Sequence, residues 1–197
     1  MEVILMQFFS ALVGALVVYI FGVRKSSIDV RNAFFQKQLS EFYSPIAGYR
    51  KRIQSKSEIR EKVSSVAQEA WKEAVAKRNP AWETKDEREK EFEPYGKIIE
   101  YDNAQLREEL IPLYREILRI FTEKYWLADE DTREYYESFS EFIEIWERYL
   151  SEALPSNVLI KLHHSEEELH GFYEHVERKL SHLQHAIVSP SFWKVWL

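Results

Sequence analysis

A chain of 197 residues, 30% charged and 45% hydrophobic, has enough material for one folded domain. It contains no cysteine, which excludes disulfide staples, thiolate metal sites and a cysteine nucleophile and suits a reducing compartment. The formal net charge of −6 weighs against a general nucleic-acid binder.

Residues 3–23 are apolar apart from Gln7 and Ser10, and Arg24 and Lys25 close the run. As a helix it reaches ~31 Å, the thickness of a bilayer's hydrocarbon core. A transmembrane anchor over residues 1–25 is therefore predicted. The residue before the run is Glu2 and no small-x-small site follows, which argues against a cleaved signal peptide. A buried core helix seldom stays apolar on every face for so long. Between residues 24 and 56, eight Lys or Arg face only Asp29 and Glu41. That excess places the N-terminus outside and the following domain in the cytoplasm, as a single-pass protein of the inner (cytoplasmic) membrane. Arg24, Lys25, Arg31 and Lys37 are the candidate membrane-surface residues. Within the anchor, Ser10 with Gly14 and Ala11 with Ala15 form small-xxx-small pairs, and Gln7 can add an interhelical hydrogen bond. Gln7, Ser10, Ala11, Gly14 and Ala15 are the candidate self-association residues.

Helix patterns then follow one another. Ile28, Phe35, Leu39 and Phe42 continue the first helix until Ser44-Pro45, where the residue before proline should break or bend it. Ile59, Val63, Val66, Ala70 and Ala74 form a narrow stripe on a long helix that Asn79-Pro80 ends. Residues 81–93 read as a solvated, partly helical connection. Leu106, Leu110, Leu113, Ile117 and Ile120 mark another helix, which Pro112 either kinks or opens anew. Asp131 with Glu134 has the spacing of a capping box before an aromatic stripe of Tyr135, Phe139, Phe142, Trp146, Tyr149 and Ala153, stopped by Pro155. Ser165 with Glu168 repeats that spacing before a helix that buries Leu169, Phe172, Val176, Leu180, Leu183 and Ile187. No strand alternation and no internal repeat occurs. The expected fold is all-α: an N-terminal transmembrane helix, then an antiparallel helical bundle of four to five helices over residues 26–188, then an aromatic C-terminal tail over 189–197. Phe192, Trp193, Val195, Trp196 and Leu197 make that tail too apolar for a free end. Its destinations, in order of preference, are the bundle core, a neighbouring subunit and the membrane interface.

The stretches EFYSPIAGYRKRI and KIIEYDNAQLREELIPLY, with the turn Phe42-Tyr43-Ser44-Pro45, resemble a loose group of small bacterial single-pass helical proteins of unknown function. The likeness covers most of the cytoplasmic part. It implies the architecture and no catalytic chemistry.

Glycine-rich phosphate loops, a GxSxG elbow and HExxH are all absent from the sequence. All six histidines, His163, His164, His170, His175, His182 and His185, fall within one short stretch. Glu167-x-x-His170 has di-iron spacing, but such sites need two of these motifs and two further glutamates, so no metal and no cofactor is expected. Arg178 and His185, with six residues between them, are similar in spacing to the Arg-x4–6-His of HEPN-domain nucleases, which are all-helical bundles. That likeness implies His185 as general acid/base and Arg178 as the group polarising a phosphate, with His182 on the same face. Lys179 stands where the family usually carries a polar residue. The plain alternative is a solvent-facing helix that happens to be histidine-rich. The sequence thus predicts a non-catalytic, membrane-anchored module that assembles with itself or binds a partner protein. The alternative is an antiviral-defence, CRISPR-associated type of membrane effector, with a diverged HEPN-like bundle that oligomerises into a pore.

Overall fold

The computed structural model describes the backbone of residues 2–77, 85–162 and 164–188, and their side chains apart from those of residues 2–13, 17 and 85. Its regular structure is helical throughout. The first rod is α1 (Glu2–Lys37), a π turn (Gln38–Tyr43) and α2 (Ser44–Ala76). The second is α3 (Lys85–Gln105), another π turn (Leu106–Leu110) and α4 (Ile111–Glu123). A short 3-10 turn (Tyr125–Leu127) and the one-turn α5 (Glu130–Arg133) lead to α6 (Tyr136–Leu150). The short α7 (Ser156–Lys161) and a 3-10 turn (Glu166–Leu169) then lead to α8 (His170–Val188).

Each π turn ends immediately before a Ser-Pro or Ile-Pro pair. Proline lacks an N–H, and its ring crowds the carbonyl four residues back. The chain meets this by widening the helix: the Ser44 amide bonds Leu39 O and the Ile111 amide bonds Leu106 O, each five residues back. Ser44-Pro45 therefore does not break the rod as the sequence suggests, and Pro112 begins α4 without interrupting the second rod.

The rods pair antiparallel. Lys124 Nζ reaches Glu41 Oε2 at 2.9 Å, Phe42 meets Phe121, Lys56 pairs with Glu109, and Trp71 lies between Phe92 and Tyr95. Tyr114 against Phe142, with Phe121 against Tyr136, runs α6 back along α4. Tyr135 and Phe139 against Phe172 run α8 back along α6. The ring closes where α8 packs on the first rod, Arg50 lying 4.0 Å over the Tyr173 ring. The result is an antiparallel four-membered bundle. Phe121 of α4, fully buried, touches the other three members: edge-on to Phe42 (5.4 Å) and Tyr136 (5.3 Å) and stacked on Phe172 (5.8 Å, 12°).

Beyond this bundle, the distal halves of α2 and α3 continue as a two-helix arm. On the narrow stripe of α2, Ile59, Val63 and Val66 are exposed and Ala74 is half-buried, while Ile46 and Ile53 are buried and Trp71 is half-buried. The polar connection expected over 81–93 is helical from Lys85. Neither capping box forms. Asp131 lies inside α5, the α6 helix starts only at Tyr136, and Ser165 caps its turn by position without a side-chain hydrogen bond. On α6 the sequence missed Ile143, which is buried, while Ala153 is exposed beyond the helix end.

Among the described residues no helix is long and apolar enough to cross a membrane. The side chains of residues 3–13, the first half of the apolar run, lie outside those described, and Gln7, Ser10 and Ala11 with them. The tail 189–197 and His163 lie outside as well. Helix α1 runs through Arg24 and Lys25 to Lys37 without a break.

At the end of α6, Glu152 has φ 62°, and the amides of Ala153 (2.9 Å) and Leu154 (3.1 Å) bond the Arg148 carbonyl. This left-handed closing position costs a residue with a Cβ about 1–2 kcal/mol. Glycine lacks that cost but loses more chain entropy on folding. Glu152→Gly is expected to raise stability by about 0.5–1 kcal/mol, read from the denaturation midpoint of the purified chain. An unchanged or lower midpoint contradicts this account of the turn.

Candidate functional site

A buried polar junction lies where the first π turn, the α5 segment and α8 meet. The widened turn points Gln38 and Tyr43 inward, both buried. Gln38 Nε2 donates to Leu127 O (2.8 Å) and to Asp129 Oδ1 (2.9 Å). Asp129 has extended backbone before α5, and its second carboxylate oxygen takes Lys179 Nζ at 2.8 Å. Thr132, fully buried on α5, joins Tyr43 Oη (2.8 Å) to His175 Nε2 (2.8 Å). The Asp129 amide donates to Tyr43 Oη at 3.3 Å, leaving the phenol proton for Thr132 and the Thr132 proton for His175 Nε2. That assignment requires a neutral imidazole protonated at Nδ1.

The electrostatics follow the bonding. His175 is held below the ordinary histidine value of 6.5, first by burial and then by the cations of Lys179 and Arg178, against the opposing pull of Asp131 and Asp129. Burial pushes Asp129 upward, but the bonds from Lys179 and Gln38 outweigh it and hold the carboxyl below its usual range. Lys179 is raised in turn by Asp129. Burial raises the Tyr43 phenol.

Beside the junction, Asp131, His175, Arg178, Lys179 and His182 line a shallow, open depression. The structure therefore brings Arg178 and His182 together, while His185 is exposed and not among the lining residues. Arg178 Nη1 is 3.8 Å from Glu174 Oε2, and Lys179 Nζ is 3.9 Å from Asp131 Oδ2. Its cations thus already face carboxylates, which disfavours a polyanionic guest. Among the described residues, no three His, Asp or Glu side chains are grouped to hold a metal ion.

The histidine-rich segment is not uniformly solvent-facing. His175 is buried, and so is the side chain of His164, whose Nε2 is 3.1 Å from Phe142 O. His175 falls three residues after Phe172 and beside Val176, on the apolar stripe, which is the signal that could have found it. Nothing in composition marks Gln38, Thr132 or Lys179, because their roles depend on the π turn and on the short α5. Of the membrane-surface candidates, Arg24 and Lys25 are exposed, Arg31 lies 5.9 Å from the Phe35 ring and Lys37 lies 5.9 Å from the Trp126 ring. Gly14 and Ala15 are exposed, and a Cβ at Gly14 would meet nothing within 4 Å.

Thr132→Val leaves His175 Nε2 and one side of the Tyr43 phenol without a partner in the interior. The expected cost is about 2–3 kcal/mol in denaturant unfolding, with Thr132→Ser costing about 1 kcal/mol or less. Equal losses in the two variants would mean that packing, not the hydroxyl, matters. A histidine lowered in the fold takes up its proton in the unfolded chain first, so its contribution to stability is lost as pH falls below about 6.5. Thermal scans between pH 7 and 5 should show the midpoint falling, and His175→Gln should flatten that slope; an identical slope in the variant would sink the assignment. No family model, curated protein or solved structure matches the chain.

Proposed function

We propose that the chain is a membrane-tethered, cytoplasm-facing helical bundle that acts by binding, assembling with copies of itself or with a partner protein, without catalytic turnover. The observation that carries this reading is the state of α1. Val18, Tyr19, Ile20 and Phe21 are all exposed, at 72%, 69%, 42% and 60%. Four successive residues at 100° each cover most of the helix circumference, so the helix is apolar on every side rather than along one stripe. Nothing else described in the chain covers them. Water is a poor solvent for such a surface and lipid is a good one. The run continues N-terminally through residues 3–13 in sequence, and α1 leads without interruption into the bundle.

Arg24 and Lys25 close the run, and Arg31 and Lys37 come about two and three turns further on, which supports the cytoplasmic side for the bundle. Exposed Gly14 with open space around it, next to Ala15, supports close approach of a second helix within the bilayer. The polar junction has the character of a structural device: its groups satisfy one another, and the adjoining depression is neutralised by its own carboxylates.

Carbonate-washed membranes from cells making the full chain are expected to retain it after ultracentrifugation. A chain lacking residues 1–25 is expected in the supernatant. Full-length protein in the supernatant of a detergent-free lysate overturns the reading.

A further inference from the structure

Among the described residues, nothing covers the apolar stripe of the arm. Ile59, Val63, Val66 and Ala70 follow one another on α2 at spacings of four, three and four, and all are exposed, Ile59 and Val66 at 61%. That alternation is the seam of a coiled coil, along which a partner helix lies. The lipid that suits α1 does not reach it, because Val63 stands ~57 Å of helix beyond Lys25. The side of α2 that meets α3, marked by the half-buried Arg60, Ala67 and Trp71, is centred about a quarter-turn away. A helix with two neighbours about a quarter-turn apart is a member of a four-helix bundle. On α3, Ile98 and the exposed Tyr101 line the same groove as Ile59 and Val63.

The charges around the stripe select the helix that fits it. Extended by one position at each end, the seam reads Lys56, Ile59, Val63, Val66, Ala70, Glu73. Laid antiparallel on a second copy of itself, it sets Val63 on Val66, Ile59 on Ala70 and Lys56 on Glu73, each pair occurring twice by symmetry. The same register sets Lys62 against Glu69 of the second copy, and Glu69 against its Lys62. Both side chains are exposed, on the flank of the stripe away from α3. Laid parallel, the stripe puts Lys62 beside Ala67 and Glu69 beside Ala74, and neither charge is answered. Lys56 already pairs with Glu109 in its own chain, so Lys62 and Glu69 are the deciding pair.

We propose that the arm is a self-association surface: α2 of one copy packs antiparallel on α2 of another through Ile59, Val63, Val66 and Ala70, with Lys62 paired to Glu69 of the second copy. The two α3 helices then lie side by side over the seam, and the two arms close as a four-helix bundle. This rests on the self-assembly reading above and names its surface. Because α1 runs on into α2 as one rod, two copies paired in this way point their membrane helices in opposite directions. They join facing bilayers, not neighbours within one bilayer.

The test uses the full chain, which has no cysteine of its own, in detergent micelles and in phosphatidylcholine–phosphatidylglycerol vesicles. On oxidation in micelles, I59C mixed with A70C should give a disulfide-linked dimer, and each variant alone should not. Antiparallel pairing sets the two copies of either position ~16 Å apart along the helix, beyond disulfide reach. K62E should weaken dimerisation about tenfold at low salt, and K62E/E69K should restore it. Vesicles carrying the wild-type chain with its bundle outward should cluster, and V63E vesicles should stay dispersed. Crosslinking of I59C with itself, a K62E/E69K chain that pairs no better than K62E, or dispersed wild-type vesicles each overturn the proposal. The two readings fail separately: a wild-type chain that does not float with vesicles refutes the tether, whereas full flotation with no I59C–A70C dimer refutes the arm pairing alone.

Discussion

A proline inside a helix removes one amide donor and crowds the carbonyl four residues before it. Pro94 sits inside α3 without a widened turn, and the constraint falls twice more where two helices join into one rod, at Pro45 and Pro112. Both times the chain widens for about a turn, and the amide just before the proline reaches back five residues instead of four. The consequence is continuity. The first rod passes from Glu2 to Ala76 with no loop, and the second from Lys85 to Glu123. Continuity lets two long rods lie against each other over many turns, from Lys37 beside Trp126 to Trp71 between Phe92 and Tyr95. The widened turn also presents neighbouring side chains to different places: Phe42 enters the aromatic core while Gln38 and Tyr43 enter the polar junction.

The core and the junction divide the work of specifying the bundle. Phe121, in contact with a ring from each other member, supplies apolar burial and is tolerant of small rotations of its neighbours. The junction is not tolerant. Asp129 is partly withdrawn from water and is held as a carboxylate by Gln38 on one oxygen and Lys179 on the other. A slip of α8 by one residue would take both Lys179 and His175 out of reach of their partners. Such an arrangement contributes little net stability against an apolar alternative, but it penalises wrong registers heavily, because each would leave a buried charge or hydroxyl alone. The direction of the hydrogen bonds adds a condition. A protonated His175 would have to donate to Thr132, turning the Thr132 proton toward the Tyr43 oxygen that the Asp129 amide already occupies.

The all-helical character and the stripes of α6 and α8 were legible in the sequence because each depends on one apolar face meeting one core. Phe139, Phe142, Leu169, Phe172, Val176 and Leu183 are buried as their spacing requires. The α2 stripe was misread for a physical reason. Past Ile53 that helix no longer faces the bundle, only α3, and a single neighbour needs just a narrow face. Trp71 against Phe92 and Tyr95 sets which face it is, about a third of a turn from Ile59, Val63 and Val66. The Asp131–Glu134 capping box failed because Asp131 lies inside α5 with its carboxylate toward Lys179, so tertiary pairing took a side chain that local rules assign to a cap. His175 was hidden among five other histidines whose shared position in the sequence says nothing about which of them faces inward.

The two ends of the first rod differ in how firmly the fold holds them. Around the π turn, the rod is clasped by α4 and α8 and by the buried junction. In the arm, beyond Lys56 and Glu109, α3 is the neighbour of α2 among the described residues, with Trp71 packed against Phe92 and Tyr95. Local stability follows the amount of apolar burial and the number of neighbours, so the arm opens at lower free energy than the bundle. On the proposed topology, α1 enters the bilayer at the opposite end from this arm. Membrane attachment is then transmitted rigidly into the bundle through an uninterrupted helix, while the part farthest from the lipid is the part most free to adapt its shape to whatever it meets.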